Sequence, residues 1–71
     1  MVVNLNKADL MARKFIDKRL ANIPSNGLLY TTLIRETLIN HAVSLTMIKS
    51  FVKLYLDEGI IILMDGVLYA K

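Results

Sequence analysis

A chain of 71 residues has room for one domain, expected over residues 1–71, and it buries a smaller share of its surface than a larger protein would. It contains no cysteine, which excludes a disulfide framework or a cysteine-based zinc site, so stability must come from apolar packing or oligomerisation. Hydrophobic residues make up 55% of the chain, far more than a disordered segment carries, and the net charge is +3, a mild surplus that suits a polyanionic partner without requiring one. The longest uninterrupted apolar run, Ile60 to Met64, is well short of the ~20 residues of a transmembrane helix. Met1-Val2-Val3-Asn4 lacks the charged start and long apolar core of a secretory signal, so a cytoplasmic location is expected.

The first predicted helix starts at Asn6 as N-cap, with Asp9 complementing the helix dipole. Leu10, Met11, Phe15, Ile16 and Leu20 recur at helical spacing and predict a broad buried face. The same segment carries Lys7, Arg13, Lys14, Lys18 and Arg19 against Asp9 and Asp17. Ile23-Pro24 ends it, because the residue before proline disfavours the α region, and Ser25-Asn26-Gly27 is a turn cluster.

Leu28-Leu29-Tyr30 reads as a short extended piece. Thr31 or Thr32 is the expected cap of a second helix, whose apolar side holds Leu33, Ile34, Leu38 and Ile39. A break falls near Asn40-His41-Ala42. Ser44 is the expected N-cap of a third helix, which reaches Glu58 and stops at Gly59, a residue suited to a left-handed C-terminal cap. Beyond it, Ile60 to Met64 and Val67 to Ala70 flank Asp65-Gly66, the pairing of runs and turn expected of a β-hairpin with a type I′ turn. The predicted order is helix, short strand, helix, helix, hairpin.

The third helix carries most of the information. On a helical wheel Leu45, Ile48, Phe51, Val52, Tyr55 and Leu56 fall in one arc of roughly 140°. Thr46, Lys49, Ser50, Lys53 and Asp57 lie opposite, and from Ser44 to Leu56 there is no acidic residue. Hydroxyls can donate or accept at base edges, and lysine reaches guanine acceptors or phosphates, so this face suits a major groove. A plain amphipathic surface helix would have the same wheel.

Residues 43–61 resemble the recognition-helix signature of winged helix-turn-helix regulators, including the MarR-type and ArsR-type families. In those families a Val-Ser pair caps the helix, apolar residues stand eleven, eight, seven and four positions before a glycine, and two apolar residues then lead into the wing. Here Val43-Ser44 match the cap, Ile48, Phe51, Val52 and Tyr55 the four apolar positions, and Gly59-Ile60-Ile61 the end. The resemblance spans about Thr31 to Lys71. It implies a mostly helical α+β fold of winged helix-turn-helix type with a two-stranded wing, and it implies that Thr46, Met47, Lys49, Ser50 and Lys53 face double-stranded DNA. Arg35 is a further expected phosphate contact. Tyr55 departs from the usual leucine, no arginine stands on the reading face, and the Asp65-Gly66 wing tip has no basic residue. The size and Ile/Leu-rich make-up also resemble compact winged-helix proteins of archaeal viruses and plasmids.

Both faces of the hairpin are apolar, whereas a half-exposed hairpin should alternate. Ile61, Leu63, Leu68 and Ala70 share one face; Ile60, Ile62, Met64, Val67 and Tyr69 share the other. The second face, with Leu54, is expected to meet a partner, most simply in a homodimer spanning two half-sites. The competing expectation is that the first helix and N-terminal arm cover it within one chain. His41, the only histidine, is expected at a cap or on the surface, Asp57-Glu58 at a solvated helix end, and Met11, Met47 and Met64 as core or interface filling. No P-loop, nucleophile elbow or metal motif is present, so neither enzyme activity nor a cofactor is expected. The rival function is a winged-helix protein-interaction module that uses the apolar wing.

Overall fold

The computed structural model describes residues 6–71. Helix α1 spans Lys7–Ala21, strand β1 Leu28–Leu29, helix α2 Tyr30–Asn40, helix α3 Leu45–Asp57, and strands β2 and β3 Ile61–Met64 and Val67–Ala70. The result is a mostly helical α+β arrangement whose helix–strand–helix–helix–hairpin order is compatible with a winged helix.

The local signals of the chain set most of the boundaries. The amide of Asp9 donates to Asn6 Oδ1 at 2.8 Å, which satisfies one of the orphan donors at the start of α1. Ser44 does the same for α3 through Met47 N–H. Gly59 follows the α3 C-cap Glu58 at φ +72°. Asp65 and Gly66 have φ of +51° and +78°, the positive values a type I′ turn demands, and the β2–β3 register places Met64 opposite Val67 and Leu63 opposite Leu68.

Several expectations are corrected. The β2–β3 hairpin gains a third strand that was not expected: β1 pairs antiparallel with β3 on its other side, making a sheet of order β1-β3-β2. Neither Thr31 nor Thr32 caps α2. The helix starts at Tyr30, directly after β1, and Tyr30 N–H donates to Gly66 O in the wing turn at 2.9 Å. A carbonyl from the hairpin therefore does what a capping side chain would otherwise do. The first helix ends at Ala21 with Asn22 as C-cap, just ahead of the expected Ile23.

The core joins α1 (Ile16, Leu20), α2 (Leu33), α3 (Ile48, Phe51, Val52) and the inner sheet face (Leu28, Ile61, Leu68). Ala12 is also fully buried on α1. Leu10 and Met11, by contrast, are exposed, as are Leu38, Ile39 and Leu45. The apolar side of α2 is turned toward Leu33 and Thr37 and away from Ile39. Thr37 is fully buried, and its hydroxyl donates to Leu33 O at 2.7 Å, which meets its hydrogen-bonding need inside the helix.

Gly27 locks the sheet to the turn before it. Its φ is +89°, and a Cβ there would collide with Val67 Cγ1 and come 2.8 Å from Tyr69 Cε1. The turn, closed by Gly27 N–H to Pro24 O at 2.8 Å, thus lies against the outer side of β3.

Candidate nucleic-acid interface

Helix α3 presents two unlike sides. On the inner side Ile48, Phe51 and Val52 are buried, and α1 is fastened to them by polar contacts between residues far apart in the chain. Tyr55 O–H donates to Asp17 Oδ1 at 2.6 Å, Arg13 Nε lies 3.4 Å from the same carboxylate oxygen, and the Arg13 guanidinium sits 5.3 Å from the centre of the Phe51 ring. The hydrogen bond to Asp17, helped by burial, pushes the Tyr55 pKa up to about 12. Of this cluster the sequence pointed to Phe51 as an apolar position and to Tyr55 as a departure from leucine, but not to their Arg13 and Asp17 partners. The hydroxyl that distinguishes tyrosine from leucine is what Asp17 binds.

The outer side bears Thr46, Lys49, Ser50, Lys53 and Asp57, all exposed. Their contacts stay within the helix. Ser50 Oγ donates to Met47 O at 2.7 Å, and Lys53 Nζ stands 3.3 Å from Asp57 Oδ2, with 72% and 62% of the two side chains open to solvent. Such a pair is worth well under ~1 kcal/mol and is readily exchanged. Lys49 has no ion partner among the described residues. Met47 is half-buried and packs on the core margin, with its sulfur 3.8 Å from Ser50 Oγ, so it borders the polar face more than it belongs to it.

Arg35 is exposed on α2, on the side opposite the buried Leu33 and Thr37, and no ion pair or hydrogen bond joins it to α3 among the described residues. The basic character of α1 is partly used internally. Arg13 is held by Asp17 and Phe51, and Arg19 Nη2 lies 2.8 Å from Glu36 Oε1 on α2, an ion contact without hydrogen-bond alignment. Lys7, Lys14 and Lys18 remain exposed. His41 is the α2 C-cap and packs tilted on Phe15, with ring centres 5.2 Å apart.

The second group of expected contact residues divides. Val67 and Tyr69 are half-buried over Gly27, while Ile60, Ile62 and Met64 are exposed, and Leu29 of β1 extends the same apolar sheet face. Leu54 is exposed on α3, between Ser50 and Phe51 around the helix. Among the described residues no helix is long and apolar enough to cross a membrane, and no three His, Cys, Asp or Glu side chains gather to hold a metal ion.

Comparison of the chain with protein-family models, curated proteins and solved structures finds no match.

Proposed function

We propose that this chain is a winged helix-turn-helix protein that binds double-stranded DNA in the cytoplasm, a transcriptional regulator with no catalytic step and no cofactor. Helix α3 enters the major groove, Thr46 and Ser50 approach base edges, and Lys49 and Lys53 contact phosphate or guanine. Arg35 adds a phosphate contact from α2, and Met47 seals the margin of the reading face. Two copies act together, so that paired α3 helices meet two half-sites.

The observation that carries this reading is the division of α3. An exposed face of hydroxyls and lysines stands on a helix whose other side is pinned to the core and to α1. A rigidly mounted helix with a solvated, cationic, hydrogen-bonding face is what major-groove insertion requires. The absence of arginine from that face suits modest base selectivity from one copy.

Binding to duplex DNA across a salt series tests it. The expected result is affinity that falls steeply with salt, and Lys49→Ala with Lys53→Ala should reduce the log–log slope by about two. Selection of bound duplexes from a random pool should return a palindromic motif. Undetectable or salt-insensitive binding rejects the proposal. The alternative, a protein-interaction module, is favoured by one feature: the exposed apolar residues Ile60, Ile62 and Met64 on the sheet.

A further inference from the structure

Strand β2 is an edge of the sheet, and it lacks most of the usual protections of an edge. It reads Ile-Ile-Leu-Met, with no charge, proline or bulge, although it is short. Its free hydrogen-bonding positions follow from the hairpin. Met64 and Val67 flank a two-residue turn and exchange bonds, and Lys71 N–H donates to Ile60 O at 3.1 Å at the other end. Antiparallel ladders alternate, so Ile60, Ile62 and Met64 direct their backbone groups to β3. Ile61 and Leu63 turn their N–H and C=O groups outward, and no other backbone group among the described residues pairs with them.

We infer that this edge pairs with β2 of a second copy, antiparallel about a two-fold axis through Ile62, to make one continuous sheet across a homodimer. The inference rests on the pairing of two copies proposed above and assigns its surface and register. Only Ile61 and Leu63 offer bonds, so a symmetric ladder that uses both sets Ile61 opposite the second copy's Leu63 and Ile62 opposite its own counterpart. In that register Ile60 faces the second copy's Met64. The four residues so covered are the exposed ones, with 48% of Ile60, 36% of Ile62, 42% of Leu63 and 55% of Met64 open in the single chain.

Charge agrees with the same register. Just past the ladder's last pair, Met64 with the second copy's Ile60, the Asp65 turn of one copy comes beside the other's Gly59. A Cβ on Gly59 would lie 3.8 Å from Lys71 Nζ, so the Lys71 ammonium is Gly59's neighbour. Neither Asp65 nor Lys71 has an ion partner among the described residues of its own chain. Pairing brings each Asp65 to a Lys71 across the axis, twice by symmetry. The ladder is small beside the ~800 Å² per partner of a standard stable interface, so the dimer should dissociate on the order of micromolar concentrations.

Sedimentation equilibrium of the full chain from about 1 to 200 μM, bracketing that range, is the test. A monomer–dimer equilibrium is expected. Ile62→Lys, on a half-exposed side chain that meets its own copy at the axis, should leave the chain monomeric with unchanged circular dichroism and melting. Lys71→Glu should weaken the dimer about tenfold by setting it against Asp65, and adding Asp65→Asn, a residue equally at home in a type I′ turn, should recover part of that loss. A chain that stays monomeric at the highest concentration overturns both the edge pairing and the two-copy reading. A dimer that survives Ile62→Lys overturns the edge pairing alone, and a Lys71→Glu loss that Asp65→Asn does not relieve overturns the register. If removing residues 1–5 lowers the melting temperature and creates a dimer absent from the full chain, the edge is occupied within one chain and the inference fails. DNA binding is read separately, since Ile62→Lys leaves the outer face of α3 untouched.

Discussion

The two sides of helix α3 are built from different kinds of contact. Toward α1 the helix is held by partners distant in sequence: Tyr55 by Asp17, and Phe51 beneath the Arg13 guanidinium, both over a buried layer of Ile48 and Val52. Toward solvent every contact is local, Ser50 to Met47 and Lys53 to Asp57. Long-range contacts carry the fold, because breaking them separates elements. Local contacts on an exposed helix face carry almost none of it, and their groups are free to trade partners. One helix can therefore be substituted on one side to probe stability and on the other to probe binding, with little crossover.

The sharpest break of that contrast is on the inner side. Phe51→Ala should cost about 3–5 kcal/mol, since it empties a buried aromatic site and removes the ring on which the Arg13 guanidinium rests. A chain of this length is expected to have only about 4–10 kcal/mol in all, so the variant should be largely unfolded well below the parent's melting temperature. Thermal denaturation followed by circular dichroism measures this; a loss under ~1 kcal/mol would mean the inner side is not the anchor described. Gly27→Ala should follow, at about 2–4 kcal/mol, because a side chain there meets a strained φ and a clash with Val67 and Tyr69 together. The same melts check it.

How much of this could be read in the chain depends on the range of the interaction. The Asn6 and Ser44 caps, Gly59 and the Asp65-Gly66 turn were legible because each acts within a few residues. The inner face of α3 was legible from its period, and so were the two faces of the hairpin. Leu10, Met11, Leu38, Ile39 and, at the start of α3, Leu45 were not, because an apolar period says which residues share a stripe but not how far the neighbouring elements cover it. The cap of α2 was misplaced for a related reason: its first amide is satisfied by Gly66 O, thirty-six positions on, and no local rule points there. The Asp17–Tyr55 bond is equally non-local. The outer face of α3 needed no tertiary knowledge, which is why its residues could be named in advance.

Tyr55→Phe tests the long-range side more gently. It removes one hydrogen bond to a partly exposed carboxylate, so about 1 kcal/mol is expected at neutral pH. The pH dependence has a definite sign. The Tyr55 pKa is raised from 10.0 to about 12 in the folded chain, so its contribution is complete below pH 10 and is lost as pH rises toward 12. The stability gap between the parent and Tyr55→Phe, measured by urea denaturation, should therefore be constant up to pH 10 and close above it. A gap that persists at pH 12 would show that the phenol contributes by packing instead.

The smallest expected effect on stability falls on the outer side and bears on function. Asp57 is the one acid on the polar face of α3, and it holds Lys53 in an exposed pair. Under the proposed DNA binding it is an internal stand-in for a phosphate, one that DNA would have to displace before Lys53 could bind the backbone. Asp57→Asn should change stability by no more than ~0.5 kcal/mol, as exposed pairs four residues apart contribute little. It should strengthen binding to duplex DNA about threefold, equivalent to ~0.7 kcal/mol, and that gain should vanish in a Lys53→Ala background, where there is no lysine to release. A protein-interaction role for the wing predicts a different outcome: the substitution would leave binding to a protein partner unchanged and give no lysine-dependent gain on DNA. The pair of variants thus asks whether the exposed side of α3 is a working surface or only a solvated one, and asks it without disturbing the side that holds the chain together.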